Sequence, residues 1–342
     1  MVVPFDQTIG SEILLIDVRS PGEFQNGHLH GAINIPLFSD EEREIVGTIY
    51  KKNGKDEALK KGLDFVGPKM SSFIEKSKSK ILNNSVYVYC FRGGMRSESF
   101  VWLLNIAGIN AKKIDGGYKT ARKYIREYFE RPANIIILGG RTGSGKTDYL
   151  KSLGGKNVQI VDLEGLANHK GSAFGHINEK RQPTNEQFEN DLFEIWAGLD
   201  LEKPVVLEDE SVFIGKVRIP DPMYKQMQNV HVICLEVSFE ERIMRLKRDY
   251  ANTDIEELIE SCHRIKKKLG DRRLGETVGF IKEGDYESAC KILLEYYDKF
   301  YNYGLEVKRN PSTVYPLVLN GSVSDENVEI LKEHVLRMGK IG

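Results

Sequence analysis

The sequence predicts an α/β protein of two domains. Its 342 residues exceed the ordinary size of one domain. Short apolar runs alternate with helix-length segments along the chain, and in the second half these runs are continuously apolar, as in parallel strands buried on both faces. We place the first domain at residues 1–118, a helical linker at 119–132, and the second domain with its C-terminal helical part at 133–342.

In the first domain, strands and helices alternate and turn signals separate them. Strands are predicted at Ile13–Arg19 and Ser85–Tyr89, and a further strand ends near Ile114. A helix is predicted over Ser97–Ala107, with Gly108 as its stop, and another over Tyr118–Glu130.

In the second domain, the first strand leads into a glycine-rich turn. This strand covers Asn134–Gly140, and three more apolar runs follow at helix-length intervals. The later strands are predicted at Val158–Val161, Val205–Leu207 and Val230–Val237. Their continuous apolar character predicts a parallel sheet.

Composition excludes several classes of protein. Lys and Arg total 49 against 50 Asp and Glu, which excludes a histone-like polycation and an acidic disordered tail. No apolar run approaches the ~20 residues of a membrane span, and the start lacks the pattern of a secretory signal. The 4 cysteines form neither a disulfide framework nor a CxxC metal pair. We therefore expect a reduced, cytoplasmic protein.

A loop rich in glycine and arginine follows the strand that ends at Tyr89. It begins with Cys90 and continues through Arg92, Gly93, Gly94, Met95, Arg96 and Ser97. Loop amides and a helix N-terminus stabilise negative charge, which favours the thiolate of Cys90. The glycines let the amides converge on an anion, and Arg96 can bind an oxyanion through two parallel hydrogen bonds. We interpret Cys90 as a nucleophile in an anion-binding loop.

Two upstream motifs, Asp17–Phe24 and His28–Pro36, together with the Cys90 loop resemble the rhodanese domain. The resemblance covers about the first 120 residues and implies a cysteine that carries transferred sulfur or selenium. Three residues of these motifs are expected to be scaffold rather than catalytic residues: Asp17, Arg19 and His28.

The Cys90 loop is longer than that of a typical sulfurtransferase. Five residues separate Cys90 from Arg96, and this C-x5-R spacing resembles that of cell-cycle phosphatases of the same fold, whose loop encloses a phosphate. Those enzymes usually have His before the cysteine, where this sequence has Tyr89. We expect a phosphate-like chalcogen donor, such as selenophosphate or thiophosphate.

The segment Gly140–Thr147 has the pattern G-x-x-x-x-G-K-[ST] between a predicted strand and a predicted helix, as a phosphate-binding P-loop requires. Its amides surround phosphate oxygens, and Lys146 neutralises their charge. Thr147 would bind Mg²⁺ where a metal takes part. The predicted phosphate-binding residues are Gly140, Thr142, Gly143, Ser144, Gly145, Lys146 and Thr147. The phosphorylated ligand stays open at this point.

Acidic residues follow two later strands. Asp162 lies where small-molecule P-loop kinases orient their substrate, and Val205–Ser211 resembles a Walker B strand. Ordinary acidic strand caps are the alternative. The candidates for positioning a metal or a water are Glu208, Asp209 and Glu210.

Basic residues lie further along the chain. Arg242, Arg245 and Arg248 recur at helical spacing, and His263–Arg273 is the densest basic stretch. A lid over phosphates, a surface for a nucleic-acid backbone and a solvated helix face are alternatives for them.

Beyond the two loops, further segments carry a family resemblance: Ile114–Lys119, Asp162–Gly175, Gln182–Thr184, Phe188–Asn190, Glu208–Ser211, Ile214-Gly215 and Pro220. With the Cys90 loop and the P-loop in one chain, they closely resemble the tRNA 2-selenouridine synthase family over nearly the full length. Asp162–Gly175 carries the most family-specific weight.

This resemblance implies a transferase that replaces the 2-sulfur of 2-thiouridine at the tRNA wobble position with selenium from selenophosphate. It also implies an S-geranylated intermediate made from geranyl diphosphate. On this hypothesis Cys90 carries selenium, and the P-loop holds the diphosphate or a tRNA phosphate. The residues expected around the second site are Asp162, Glu164, Asn168 and His169.

The implied partners are the tRNA anticodon loop and a supply of selenophosphate. Selenophosphate and geranyl diphosphate would enter as co-substrates, with no tightly bound cofactor and with Mg²⁺ as a candidate. Phe174 is a candidate stacking platform for the unstacked base.

Three alternatives stay open. A P-loop small-molecule kinase with an accessory rhodanese domain would turn over ATP without tRNA. A C-x5-R phosphatase or arsenate reductase is disfavoured by Tyr89 and by the attached P-loop domain. A noncatalytic tRNA- or nucleotide-binding module would leave the Cys90 loop without a role.

Overall fold

The computed structural model describes residues 2–81, 85–250, 253–305, 309–319 and 323–340. The chain divides into two compact units. The first comprises the residues up to Tyr128 together with Glu186–Gly198, and the second comprises Phe129–Asn185 and the residues from Leu199 onward. No pattern in the sequence assigned Glu186–Gly198 to the first unit.

The first 128 residues alternate between strands and helices. In chain order the elements are β1 (Val2–Val3), β2 (Leu14–Asp17), α1 (Pro21–Asn26), β3 (Ile33–Asn34), α2 (Asp40–Asn53), α3 (Lys55–Val66), α4 (Met70–Lys78), β4 (Ser85–Tyr89), α5 (Met95–Ile106), β5 (Asn110–Ile114) and α6 (Gly117–Tyr128).

The remaining elements continue the alternation and end in helices. They are β6 (Ile135–Gly140), α7 (Lys146–Gly154), β7 (Gln159–Val161), α8 (Leu163–Ala167), α9 (Asn185–Ala197), β8 (Val205–Glu208), β9 (Phe213–Ile214), β10 (Val217–Arg218), α10 (Asp221–Gln228), β11 (Val232–Glu236), α11 (Phe239–Tyr250), α12 (Ile255–Arg264), α13 (Lys266–Leu269), α14 (Asp271–Glu283), α15 (Tyr286–Tyr303), β12 (Val314–Val318) and α16 (Asp325–Met338).

The first unit is built on a parallel sheet of five strands in the order β1-β5-β4-β2-β3. The central strand β4 is buried from Val86 to Tyr89, because helices cover both faces of such a sheet. Asp17 at the end of β2 pairs with Tyr89 at the end of β4. The loop that begins at Cys90 therefore leaves the carboxyl edge of the sheet beside β2.

The second unit is built on a second parallel sheet, in the order β12-β11-β6-β8-β7. All residues of the central strand β6 are buried. Leu138 of β6 pairs with Glu208 of β8, and Asp162 directly follows β7. The P-loop and the acidic strand ends thus meet at one carboxyl edge, where α/β sheets bind ligands.

The α/β fold with parallel sheets is confirmed, and the predicted strands and helices lie within a few residues of the observed ones. Strand β12 was not predicted. It contains Pro316, which cannot donate to a ladder, and it lies at the sheet edge beside β11 alone. The antiparallel pair β9–β10 was also not predicted, since each strand has only two residues.

Candidate active sites

The thiol of Cys90 lies at the floor of the loop between β4 and α5. Cys90 is 3% exposed. Its Sγ lies 3.2 Å from Ser97 Oγ and 3.8 Å from the carbonyl oxygen of Gly94, which precedes α5. Since Ser97 Oγ itself lies 3.0 Å from the Gly94 carbonyl, the thiol sits within the hydrogen-bonding surroundings of the first turn of a helix. A sulfur at this position is held in one place by the loop.

A glycine pair between β5 and α6 supports the loop from behind. The amide of Tyr118 donates to the Cys90 carbonyl at 2.9 Å. Gly117 has φ +60°, and a Cβ there would lie 2.3 Å from the Cys90 carbonyl oxygen and 2.4 Å from the Gly93 amide nitrogen. Only glycine fits this approach. This role of Gly117 was not predicted from the sequence.

The two arginines of the loop differ in their surroundings. Arg92 is exposed, whereas Arg96 donates through Nη1 to Glu23 Oε2 at 2.8 Å. Burial raises the pKa of Glu23, but the hydrogen bond and charge of Arg96 outweigh it and hold that pKa below its usual value. An anion in the Cys90 loop would therefore share Arg96 with a carboxylate.

The residues expected to be scaffold tie loops together. Arg19 makes a buried ion pair with Asp17 at 2.6 Å and donates to the Gly27 carbonyl at 2.6 Å. Its guanidinium also lies 3.7 Å from the ring centroid of Tyr118. His28 stacks on the ring of Phe24 at 3.7 Å.

The P-loop connects β6 to α7 in the expected manner. Lys146 Nζ donates to the Gly140 carbonyl at 2.9 Å. Gly143 and Gly145 both have φ +81°, a conformation that favours glycine. The hydroxyl of Ser144 is buried and finds no hydrogen-bond partner within the described ranges.

Two arginines of α11 form the wall of this loop. Arg242 is 2% exposed, donates to the Thr142 carbonyl at 2.8 Å and makes a two-fold contact with Asp298 at 2.6 and 2.9 Å. Arg245 donates to Asp148 at 2.6 Å, and its Nη1 lies 2.3 Å from where a Cβ on Gly145 would be. For these two residues the hypothesis of a solvated helix face is wrong. Arg248, in contrast, is exposed and pairs with its neighbour Asp249.

Three carboxylates meet behind the P-loop. Thr147 Oγ1 donates to Glu164 Oε2 at 2.8 Å, and the Glu164 amide donates to Glu208 Oε2 at 3.2 Å. Burial, followed by the charges of Glu164 and Asp162, raises the pKa of Glu208 to about 8. Burial and the Glu164 charge also raise the pKa of Glu210 well above its usual value. Glu208 therefore retains its proton at neutral pH.

Asp209 lies apart from this cluster. Its Oδ1 accepts from Arg309 Nη2 at 2.6 Å, and its amide donates to the Leu138 carbonyl at 3.0 Å. Arg309 is itself buried and donates to the Met227 carbonyl. Because successive side chains of an extended segment point to opposite sides, Glu208 and Asp209 diverge.

The segment Asp162–Gly175 uses its polar side chains in two ways. Asp162 caps α8 by accepting from the Gly165 amide at 2.7 Å, and Asn168 ends that helix with φ 49°. His169 is buried. Its ring packs so closely on Gly175 and Gly215 that a Cβ added at either glycine would lie within 3 Å of a ring atom. Burial lowers the pKa of His169, so its ring is neutral at pH 7.

Two family models match the chain. One described as the tRNA 2-selenouridine synthase AAA domain matches residues 133–318, and one described as the rhodanese-like domain matches residues 5–123. A tRNA 2-selenouridine synthase of Shewanella denitrificans is 36% identical over 331 residues, which cover 86% of this chain and 89% of that protein. A tRNA 2-selenouridine synthase of Pseudomonas fluorescens is 36% identical over 334 residues, which also cover 86% of this chain and 89% of that protein.

The chain belongs to the tRNA 2-selenouridine synthase family. The fold prediction of a rhodanese-like domain followed by a P-loop domain is thereby confirmed. Among solved structures, the N-terminal domain of a putative ATP/GTP-binding protein from Clostridium difficile 630 is 39% identical over 36% of this chain and 98% of that chain, with a TM-score of 0.36.

For this member of the tRNA 2-selenouridine synthase family, Phe174 is not placed as the sequence analysis expected. It is 6% exposed, and its ring packs edge-on against Tyr250 with centroids 6.1 Å apart. Both lie among apolar side chains of the helical part of the second unit. A base has little of this ring to stack on.

One further residue was missed. The Gly140 amide donates to the hydroxyl of Tyr301 on α15 at 2.6 Å, so a residue 161 positions away fixes the start of the P-loop. No local signal in the sequence marks such a contact.

The described ranges contain no helix with both the length and the apolar character needed to cross a membrane. Nor do three His, Cys, Asp or Glu side chains of the described residues come together as a metal site. Magnesium at Thr147 stays a prediction.

Proposed function

We propose that this chain converts 2-thiouridine at the wobble position of tRNA into 2-selenouridine, through an S-geranylated intermediate. The named relatives support the overall conversion. One observation supports the division into two steps, namely that the same chain contains two different loops. In one loop the buried Cys90 lies at the floor. The other is a P-loop in which Lys146 Nζ donates to the Gly140 carbonyl. The two sites are suited to different chemistry: the Cys90 thiol can act as a nucleophile, and the P-loop can bind a diphosphate.

The alkylation step is assigned to the P-loop. The 2-sulfur of the base attacks C1 of geranyl diphosphate, the S–C bond forms, and the C–O bond breaks with its electron pair going to the diphosphate. Lys146 and the amides of Gly143–Thr147 would stabilise the charge on that leaving group. Lys146 Nζ donates to the Gly140 carbonyl and makes no ion pair with a carboxylate of the described residues, so its charge is available to a phosphate.

The selenation step is assigned to Cys90. The Cys90 thiolate attacks phosphorus of selenophosphate, so an S–P bond forms and the P–Se bond breaks with its electron pair going to selenium. The released selenide attacks C2 of the S-geranylated base, the C–Se bond forms, and geranyl thiol leaves. Water then hydrolyses the S–P bond and releases phosphate. Arg92, which is exposed, and Arg96 would bind the phosphate oxygens.

Mass spectrometry of a 2-thiouridine anticodon stem-loop tests this proposal. The RNA is incubated with geranyl diphosphate, with selenophosphate and with both, using wild type, Cys90→Ala and Lys146→Ala. We expect geranylation to be lost in Lys146→Ala and retained in Cys90→Ala, and selenation to be lost in Cys90→Ala. Two matched controls should behave as wild type: Cys262→Ala, and Lys156→Ala just beyond α7.

Unmodified RNA under all conditions would overturn the proposal. If ATP were then hydrolysed in the presence of a metabolite, the kinase alternative would take its place. Loss of both modifications in Cys90→Ala would contradict the division of labour while leaving the overall conversion in place.

A further inference from the structure

An apolar cavity adjoins the P-loop within the second unit. Its cavity volume is about 60 Å³, and its lining includes Thr142 of the P-loop and Phe174. The rest of the lining comes from Ser172 and from α11, α12, α14 and α15.

The lining carries little charge. Four leucines and three tyrosines make up half of it, and Lys247 contributes the one ionic side chain among the lining residues. Burial raises the pKa values of Tyr250 and Tyr297, so both phenols stay neutral. Burial also raises the pKa of the Cys290 thiol to about 11, which keeps it protonated and weakly nucleophilic at neutral pH.

The wall of the cavity and the P-loop are joined. Thr142 lines the cavity, and its carbonyl accepts from Arg242 of α11. Arg242 is held in turn by Asp298 of α15, the helix that provides several lining residues. A ligand with its phosphates on the P-loop amides would therefore have an apolar volume beside it.

We propose that this cavity binds the hydrocarbon chain of a prenyl diphosphate while the P-loop binds its diphosphate. The proposal rests on the proposed function for the identity of the phosphorylated ligand. The lining favours a hydrocarbon over a nucleoside, because a base and a ribose lose hydrogen bonds to water that these side chains do not replace. Each buried methylene, in contrast, gains affinity in such a site.

Direct binding provides the first test. The probes are the unreactive geranyl thiolodiphosphate, its dimethylallyl counterpart and inorganic diphosphate, titrated into the full chain. We expect the geranyl probe to bind at least about 30-fold more tightly than diphosphate. Equal affinities for these two probes would overturn the proposal.

Cavity-filling variants test where the hydrocarbon chain of the ligand binds. Ala289→Phe and Cys290→Phe add volume inside the cavity and should reduce geranyl affinity by at least about 10-fold, with a smaller effect on the dimethylallyl probe. Ile292→Phe adds the same ring to the same helix at a position that packs on the apolar cluster but does not line the cavity. It should retain the wild-type preference. Filled variants that fold and keep that preference would contradict the proposal.

A labelling experiment needs no variant. The geranyl probe should protect Cys290 of the wild-type chain from maleimide several-fold more than inorganic diphosphate does, as read by peptide mass spectrometry. Equal protection would argue against the cavity. These readouts are separate from alkylation of RNA. Geranyl-specific binding without alkylation of the base would contradict the proposed function and support the cavity as a hydrocarbon site. Alkylation that the cavity-filling variants leave unchanged would support the proposed function and contradict the cavity proposal.

Discussion

The hydroxyl of Thr147 donates to Glu164 Oε2 at 2.8 Å, so the P-loop residue expected to bind a metal already has a carboxylate partner. The backbone amide of Glu164 donates in turn to the carboxylate of Glu208, which is fully buried. Charge at this edge of the sheet is therefore controlled by protonation of the acidic cluster. A cation arriving there would displace a proton.

The stability of the chain should fall with rising pH because of Glu208. Burial raises its pKa from 4.5 to about 8, so between these values the folded chain holds a proton that the unfolded chain has released. Stability is then lost at about 1.4 kcal/mol per pH unit across this window and levels off above it. Urea unfolding at pH 5.5 and 8 should show a smaller loss in Glu208→Gln than in wild type. Glu236→Gln, at the exposed end of β11, is the matched control, and an equal pH slope in all three would contradict the assignment.

A methyl group at Gly117 should disrupt the Cys90 loop. Gly117→Ala places a Cβ 2.3 Å from the Cys90 carbonyl oxygen at φ +60°, so we expect a loss of about 2–3 kcal/mol of stability and of selenation. Gly108→Ala is the control, since Gly108 has φ +81° but nothing within 4 Å of the added atom, and should cost only about 1 kcal/mol. Urea unfolding and the stem-loop assay measure both effects. Equal losses in the two variants would show that backbone conformation alone matters.

The sequence predicted local strands and motifs better than contacts between residues that are far apart in the chain. The strands before Cys90 and Gly140 were predictable because continuous apolar runs end at glycine-rich turns. The glycines of the P-loop were predictable because they follow a fixed spacing. Contacts such as Tyr301 with Gly140 were not, since they join residues far apart in sequence and leave no periodic signal.

The acidic residues show a second limit. Glu208, Asp209 and Glu210 are adjacent in sequence and chemically alike, so composition ranked them equally. The structure divides them, because an extended backbone sends Asp209 to Arg309 and leaves Glu208 beside Glu164. The roles of such residues depend on which side of a strand end they lie, and that depends on register.

Removing the charge of Glu23 should strengthen anion binding at the Cys90 loop. Glu23 neutralises Arg96 at 2.8 Å, so Glu23→Gln should raise the affinity for inorganic phosphate about fivefold, while costing about 1 kcal/mol of stability. Calorimetric titration of phosphate measures the first effect. Glu57→Gln removes one exposed carboxylate of the first unit and controls for net charge. Unchanged or weaker phosphate binding in Glu23→Gln would show that Arg96 does not take part.

Removing the hydroxyl of Ser144 should affect diphosphate binding but not folding. The group is buried and unpartnered in the described part of the chain, so Ser144→Ala should change stability by less than about 0.5 kcal/mol. If the hydroxyl donates to a bound phosphate, the affinity for inorganic diphosphate should fall about fivefold or more. Ser261→Ala is the matched control: its hydroxyl donates to the Glu257 carbonyl at 2.9 Å, so it should lose about 1 kcal/mol and bind diphosphate normally. A stability loss in Ser144→Ala as large as that in Ser261→Ala, or unchanged diphosphate affinity, would indicate a structural hydroxyl.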